Sequence, residues 1–185
     1  KSILSVNVRK ICYPVLIGSL DVFEYYAKHH RLKINLREVD SNNITFSSKS
    51  FPVINIHPFE KPSVAPGKQI INAGKFAGDA VTTSAKLCVA ETVHGMVTAP
   101  VSKTTMVKAG FLFPGQTEMV ASLSGKGRAT MMLIAKNFRV GLTTVHVPVK
   151  NISQHINRKL IVARLTAIDH ALKKDFNIRK PTIAV

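Results

Sequence analysis

The stretch YPVLIGSLDVFEYYAKHH, residues 13–30, decides the fold because it joins a strand-like run directly to a helix-like one. The apolar run 13–18 predicts a buried strand that ends at a glycine. Ser19 is a preferred N-cap residue, and Leu20, Phe23 and Ala27 recur at helical spacing, which predicts a helix over 19–30. A strand followed at once by a helix is the repeating step of an α/β fold.

The same alternation continues along the rest of the chain. Apolar runs predict further strands over 32–39, 51–56, 95–99, 131–135 and 139–144, and the start of another over 182–185. Helical spacing predicts helices over 73–90, 102–109 and 159–174, with a short helical turn over 151–156. Gly74 and Gly78 lie on or beside the apolar face of the helix over 73–90, which indicates either tight packing or backbone approach to a ligand. The fold class is therefore α/β, with a largely parallel or mixed sheet.

Length and composition indicate a soluble globular protein, with one sizeable core or parts of two lobes, and no membrane span. The 185 residues are 45% hydrophobic, but no apolar run reaches the roughly 18 residues that a membrane helix needs. The first residues lack Met, a contiguous apolar stretch and a cleavage site, so we expect a cut start and no signal peptide. Cys12 and Cys88 match no metal or redox spacing, which favours reduced thiols in a cytosolic protein.

The strong positive charge predicts an anionic partner. Lys and Arg number 26 and give a formal net charge of +16, a field that attracts anions. These residues are scattered, however, and three Tyr with no Trp offer little for base stacking. The pattern argues against nucleic-acid binding as the main role.

Three segments place polar chemistry at the ends of predicted strands, where ligands gather in α/β proteins. Lys103 and the amides of a helix start could meet an anion, although an ordinary capped turn with a solvated lysine is the alternative. Residues 115–118 offer an amide, a hydroxyl and a carboxylate, although Thr117 could be a plain N-cap. His146 follows a predicted strand and precedes a valine and a proline. A single histidine is more often a structural residue than a metal ligand.

The segments VTAPVSK (97–103), KAGFLFPGQTEMVA (108–121), MMLIA (131–135) and RVGLTTVHVP (139–148) together resemble the 4-hydroxythreonine-4-phosphate dehydrogenases of vitamin B6 biosynthesis. The resemblance covers most of the chain and is strongest over 95–149. It implies that Gln116 and Thr117 bind the phosphorylated substrate and that His146 is one ligand of a divalent metal. Gln116 replaces the family's histidine, and its neutral amide can donate a hydrogen bond but cannot carry a proton charge.

The resemblance also implies an architecture. The family has a two-lobed α/β/α fold about a cleft, similar to the isocitrate and isopropylmalate dehydrogenases, and forms a cytoplasmic homodimer whose sites use both subunits. Residues 1–100 would give part of the first lobe and residues 101–185 part of the second. The family's other two metal histidines and its N-terminal glycine-rich segment have no counterpart here. We therefore expect an internal fragment of a longer enzyme that is inactive alone.

The activity implied is an alcohol oxidation. NAD or NADP would oxidise 4-phosphooxy-L-threonine with the help of Zn, Mg or Co, and the resulting 3-keto acid would lose carbon dioxide to give 3-amino-2-oxopropyl phosphate. Two alternatives stay open. One is the same chemistry on a threonate or erythronate phosphate, which the substitution at Gln116 favours. The other is a non-catalytic anion-binding protein, which the basic charge favours.

Overall fold

The structure, a computed structural model, describes residues 2–60, 62–63, 65–113, 115–125 and 129–185. Pro114, which belongs to one of the motifs quoted above, lies outside the described residues. The chain forms two compact units, residues 1–127 and 128–185. The mixture of helices and strands in both units confirms the predicted α/β class.

A parallel three-stranded sheet organises the first unit. Its strands are β1 (Leu16–Gly18), β2 (Leu36–Glu38) and β3 (Phe51–Asn55), and β3 lies in the middle. β1 and β2 each pair with β3 in parallel, as the alternation of strands and helices predicted. Val53 and Ile54 of β3 and the following Ile56 are buried, so the central strand supplies much of the core around the sheet.

The first three helices of this unit are α1 (Val6–Ile11), α2 (Leu20–His29) and α3 (Ile71–Val89). A single 3-10 turn, Ser2–Leu4, precedes α1. The predicted helix after the first strand is confirmed with its cap, because Ser19 accepts a hydrogen bond from the Val22 amide at 3.4 Å. The long helix predicted over 73–90 is also confirmed, with bounds shifted by at most two residues.

Two shorter helices, α4 (Lys103–Lys108) and α5 (Gln116–Leu123), pack on α3. Val81 of α3, Met106 of α4 and Met119 of α5 form a shared buried cluster. Gly74 and Gly78 both face this side of α3: a Cβ on Gly74 would lie 2.6 Å from the Thr105 carbonyl carbon, and one on Gly78 would overlap the Phe111 ring. The two glycines therefore allow close packing of α3 against its neighbours, which is one of the two interpretations that the sequence offered.

The second unit is a hairpin backed by a helix. Strands β4 (Met132–Ala135) and β5 (Phe138–Gly141) are antiparallel, and a 3-10 turn (Val149–Asn151), α6 (Ile152–His155) and α7 (Arg158–Lys174) follow. A Cβ on Gly141 would lie 3.0 Å from Ile168 Cγ1, so this side of the hairpin packs closely on α7. The helix predicted over 159–174 is confirmed.

Two predicted strands are wrong. Residues 95–99 and 182–185 have no regular structure, and Val97 and Val185 are almost fully exposed, at 101% and 93%. A short apolar run becomes a strand only when another strand satisfies its amides and carbonyls. Among the residues that the structure describes, neither segment pairs in a sheet. The predicted strand over 139–144 is also shorter than expected, since β5 ends at Gly141.

The remaining predictions about organisation concern the lobes, thiols and membrane. The predicted lobes, 1–100 and 101–185, stay a prediction about the larger protein; in this chain α4 and α5 pack on α3 in the first unit. Cys12 and Cys88 are both free, and burial raises the pKa of the Cys88 thiol. Within the described ranges, no helix has both the length and the apolar character that crossing a membrane requires.

Candidate functional site

The start of α5 presents backbone amides that could bind an anion. Gly115 is its N-cap residue, in extended conformation, and as a glycine it has no side chain to cap the helix. The amides of the first three helical residues, Gln116, Thr117 and Glu118, therefore have no carbonyl partner within the helix. These amides also lie at the positive end of the helix dipole, which favours negative charge.

Lys103 lies beside this helix start. A Cβ built on Gly115 would lie 3.5 Å from Lys103 Nζ and 2.9 Å from Glu118 Oε2. The ammonium and the carboxylate thus both approach the face of Gly115, and a side chain at position 115 would displace one of them. Lys103, predicted as a possible anion-binding residue, and the predicted substrate-binding turn are therefore brought together in one place.

Gln116 and Thr117 have different surroundings within this turn. Gln116 Nε2 donates a hydrogen bond of 3.3 Å to the Ala99 carbonyl, which ties the start of α5 to the segment before α4. Thr117 is the second residue of α5 and is exposed. The alternative interpretation of Thr117 as the N-cap is therefore wrong, because Gly115 occupies the N-cap position.

His146 belongs to the second unit. It lies in the loop between β5 and the 3-10 turn, is exposed, and has a φ of 57° in the left-handed region. The prediction that it directly follows a strand is wrong, because four residues separate it from Gly141, the last residue of β5. The loop before it is held by α7: the Arg164 guanidinium donates to the carbonyl of Thr143 at 3.4 Å.

His146 could supply one ligand to a metal ion, through its imidazole. An exposed imidazole is a ligand that Zn and Co accept readily. Across the residues that the structure describes, no group of three or more His, Cys, Asp or Glu side chains could hold a metal ion. A complete centre would therefore need further donors beyond those described here.

His57 and Asp79 form a pair that the sequence did not reveal. His57 follows β3, has a φ of 54°, and its Nε2 lies 2.6 Å from Asp79 Oδ2 of α3. Both side chains are 31% exposed, and the imidazole also packs edge-to-face on Phe76. A separation of 22 residues gives no local signal of this pairing.

We expect the His57–Asp79 pair to stabilise the first unit by about 1–2 kcal/mol, since a short charge-assisted hydrogen bond in a half-buried place exceeds a surface pair. A double-mutant cycle with His57→Ala and Asp79→Ala, followed by urea unfolding, measures this coupling. The matched control is Glu60–Lys75, which joins the same two segments at 3.6 Å but is about half exposed. Equal coupling energies for the two pairs would contradict the expectation.

Two open cavities lie at a different place in the first unit. One, of about 360 Å³, adjoins the carboxyl ends of β2 and β3 and is lined by Glu38, Val39, Asp40, Ser41, Ile54, Asn55 and Pro58. The other, of about 400 Å³, is lined by Ser41, Asn42, Thr83, Lys86, Leu87, Ala90 and Thr92. None of the predicted site residues lines either of these two cavities.

Comparison with known proteins gives a family and a set of relatives. A family model described as "Pyridoxal phosphate biosynthetic protein PdxA" matches residues 10–185. The 4-hydroxythreonine-4-phosphate dehydrogenase of Bacteroides thetaiotaomicron is 31% identical over 192 residues, covering 100% of this chain and 50% of the relative. The enzyme of the same name from Methylococcus capsulatus is 31% identical over 175 residues, covering 94% and 52%.

Solved structures show the same fold. A 4-hydroxythreonine-4-phosphate dehydrogenase from Burkholderia phymatum superposes with a TM-score of 0.86 at 23% identity, covering 97% of this chain and 54% of that one. One from Klebsiella pneumoniae superposes with a TM-score of 0.79 at 23% identity, covering 90% and 52%. The chain thus spans about half the length of the relatives it matches.

Proposed function

Since this chain belongs to the PdxA family of pyridoxal phosphate biosynthetic proteins, we propose that the protein carrying it is a 4-hydroxythreonine-4-phosphate dehydrogenase. The reaction would oxidise 4-phosphooxy-L-threonine with NAD or NADP and yield 3-amino-2-oxopropyl phosphate after loss of carbon dioxide. Relatives that carry this name match nearly the whole chain. The 185 residues would supply part of the site.

The observation that carries the proposal is the convergence of Lys103 with the open start of α5. A substrate phosphate placed there would meet the first-turn amides, the Thr117 hydroxyl and the Lys103 ammonium. The Glu118 carboxylate would repel a phosphate dianion bound beside Gly115. The Lys103 ammonium would offset that repulsion, because it lies beside the same glycine. The turn would therefore orient the phosphorylated end of the substrate.

His146 would hold one side of a divalent metal, Zn, Mg or Co, together with donors outside the described residues. When bound, the metal would act as a Lewis acid on the substrate hydroxyl, and the nicotinamide cofactor would accept the hydride. Gln116 has no proton to exchange near neutral pH, so its role would be limited to donating hydrogen bonds. Any proton transfer in the reaction would fall to other groups.

A second candidate substrate class follows from Gln116. A neutral amide where relatives of this family have a histidine suits another phosphorylated hydroxy acid, such as a threonate or erythronate phosphate, that needs no charged partner at this position. The protein would then perform the same oxidation on a different acid.

A substrate panel on the parent protein, meaning the full-length protein that contains this chain, separates the two candidates. The panel would contain 4-phosphooxy-L-threonine and the phosphates of threonate and erythronate, each with NAD and NADP and with Zn, Mg or Co. We expect the highest kcat/KM with 4-phosphooxy-L-threonine. A higher kcat/KM with either sugar-acid phosphate would favour the second candidate, and turnover of none would leave only anion binding.

We expect Thr117→Val in the parent protein to weaken substrate binding by roughly 1–3 kcal/mol, which is about 5- to 150-fold in KM, because the variant leaves a phosphate oxygen without its hydroxyl donor. Steady-state kinetics with varied substrate measures this change. Thr104→Val, at an exposed threonine of α4, is the matched control and should leave KM unchanged. Equal Michaelis constants for Thr117→Val and the parent would count against the contact.

We also propose the assembly and location that the family resemblance implies. The protein would be a cytoplasmic homodimer with two α/β lobes, to which residues 1–100 and 101–185 would contribute. The family match supports this proposal. The +16 charge would attract the anionic substrate and cofactor.

A further inference from the structure

An exposed face of α2 gathers four aromatic side chains near the end of the helix. Tyr25 stacks on His29 with ring centroids 6.1 Å apart and planes at 6°, and Tyr26 stacks on His30 at 6.1 Å and 16°. All four residues are exposed. We call this set, Tyr25, Tyr26, His29 and His30, the ring face. Two of the chain's three tyrosines and two of its seven histidines thus lie in one place.

The ring face lies largely outside the side of α2 that packs on the sheet. At about 100° per residue, the four rings occupy an arc of about 140° around the helix. Phe23 lies outside this arc, and its ring packs beside β1, where a Cβ on Gly18 would be 3.0 Å from it. Asp21 and Glu24, the two acidic residues of α2, also lie outside the arc. The carboxylates of this helix are therefore on another side from the rings.

Three cations flank the ring face. Lys28 is in the last turn of α2, Arg31 and Lys33 follow the helix, and all three residues are exposed. Among the described residues, none of these three side chains forms an ion pair. The helix dipole favours cations at this end of α2, but it does not account for exposed rings beside them. Rings and unpaired positive charge together fit a ligand that is both aromatic and anionic.

The backbone of Arg31 favours a role for its side chain beyond folding. Arg31 follows the C-cap of α2 with a φ of 51°, and its amide donates to the Lys28 carbonyl at 3.0 Å. The next amide, of Leu32, donates to the Ala27 carbonyl at 2.8 Å. These two bonds form a Schellman motif, in which the left-handed position is usually glycine. An arginine in this position has a conformational cost that glycine would avoid.

We propose that the ring face binds single-stranded nucleic acid, with bases stacked on its rings and phosphates beside the three cations. Aromatic rings stack on any base because every base has a π face, and neighbouring cations match the phosphate backbone. A membrane surface fits less well, because helices that lie on membranes present large hydrocarbon side chains, whereas tyrosine and histidine carry polar groups.

This binding would be additional to the proposed oxidation and does not depend on it. α2 begins at the carboxyl end of β1 and runs back toward the amino ends, because β1 and β2 are both parallel to β3. The ring face is at the end of α2, whereas substrates of α/β enzymes gather at the carboxyl ends of the strands. The scattered charge of the whole chain argues against nucleic acid only as the main partner.

Fluorescence anisotropy with the parent protein and a labelled oligouridylate of about 12 nucleotides tests the stacking, since single-strand binding modules cover about 4–16 nucleotides. An abasic oligomer of equal length has the same phosphates but no bases, and it should bind at least about 5-fold more weakly. Tyr25→Leu and Tyr26→Leu should each weaken oligouridylate binding about 5- to 150-fold and leave abasic binding unchanged. Phe59→Leu is the matched control, at an aromatic residue that is 99% exposed after β3, and should change neither affinity.

Arg31→Gly tests the charge without loss of the fold. It should lower the slope of log affinity against log salt by about 0.7, the value for one phosphate contact on a single strand. The melting temperature should stay the same or rise, because glycine suits the left-handed position. Lys136→Gly makes the same kind of change at an exposed cation with a φ of 54°, between β4 and β5, and should leave the slope unchanged.

Three results would overturn the proposal. Equal affinity for the oligouridylate and the abasic oligomer would show that charge alone binds. Binding to phosphatidylserine vesicles without binding to the oligouridylate would assign the ring face to a membrane surface. Parent-like oligouridylate affinity in both tyrosine variants would remove the rings from the site. If one tyrosine variant does not fold, the other variant and the salt slope of Arg31→Gly decide in the same way.

Discussion

Replacing His146 by alanine in the parent protein is expected to abolish metal-dependent reduction of NAD or NADP while the protein stays folded. The imidazole would be one of few metal ligands, so its loss should lower activity at least about 100-fold, more than the loss of an outer group. Folding should persist because His146 is exposed in a loop and contributes no core packing. Steady-state turnover and circular dichroism measure the two expectations.

The control for this change is His155→Ala, which removes another exposed histidine of the second unit, in α6. It should leave turnover and metal content unchanged. Full turnover by His146→Ala, with metal still bound in a one-to-one ratio, would remove His146 from the site.

The largest effect on stability is expected from Gly74→Ala. The new Cβ would lie 2.9 Å from Thr105 Cβ and 2.6 Å from the Thr105 carbonyl carbon, so α4 would have to move away from α3. Such overpacking costs about 1–3 kcal/mol, and we expect the upper end because backbone atoms of Thr105 are among those that must move. That cost exceeds the gain of roughly 1 kcal/mol from alanine's better helix propensity. Since α4 carries Lys103 at its start, the movement should also weaken anion binding beside Gly115.

Urea unfolding and inorganic phosphate titration measure these two effects. Gly95→Ala is the matched control, because a Cβ there meets nothing within 4 Å. Gly95→Ala should leave the free energy of unfolding unchanged or raise it slightly, because alanine lowers the conformational entropy of the unfolded chain. A Gly74→Ala protein as stable as Gly95→Ala would show that α3 and α4 are not in the close contact described.

Local signals predicted the helices well and the strands less well. The helix over 19–30 was evident because its cap, Ser19, and its apolar spacing lie within one segment. The run 95–99 has the same apolar character as a strand, but strand formation depends on a partner that no local pattern reveals. The short strands β1 and β2 illustrate the same point, because each pairs with β3 over only three residues, fewer than the predicted runs 13–18 and 32–39 contain.

The candidate site was predictable in its residue types but not in its geometry. The motif around Gly115 indicated a substrate-binding turn, yet only the structure places Lys103 against it, 12 residues away in the chain. The pairing of His57 with Asp79 joins residues that are 22 positions apart. The hydrogen bond from Arg164 to the Ala129 carbonyl joins residues that are 35 positions apart. Contacts at such separations depend on how helices pack, which the spacing of residues does not encode.

The most direct test of the account is an assay of the parent protein with 4-phosphooxy-L-threonine, in which reduced cofactor and carbon dioxide are measured together, with a divalent metal and after its removal by a chelator. We predict that reduced NAD or NADP and carbon dioxide form in equal amounts with the metal present, and that both cease when it is removed. Phosphate-dependent binding of the substrate without any reduction of either cofactor, at any metal tested, would contradict the proposed function.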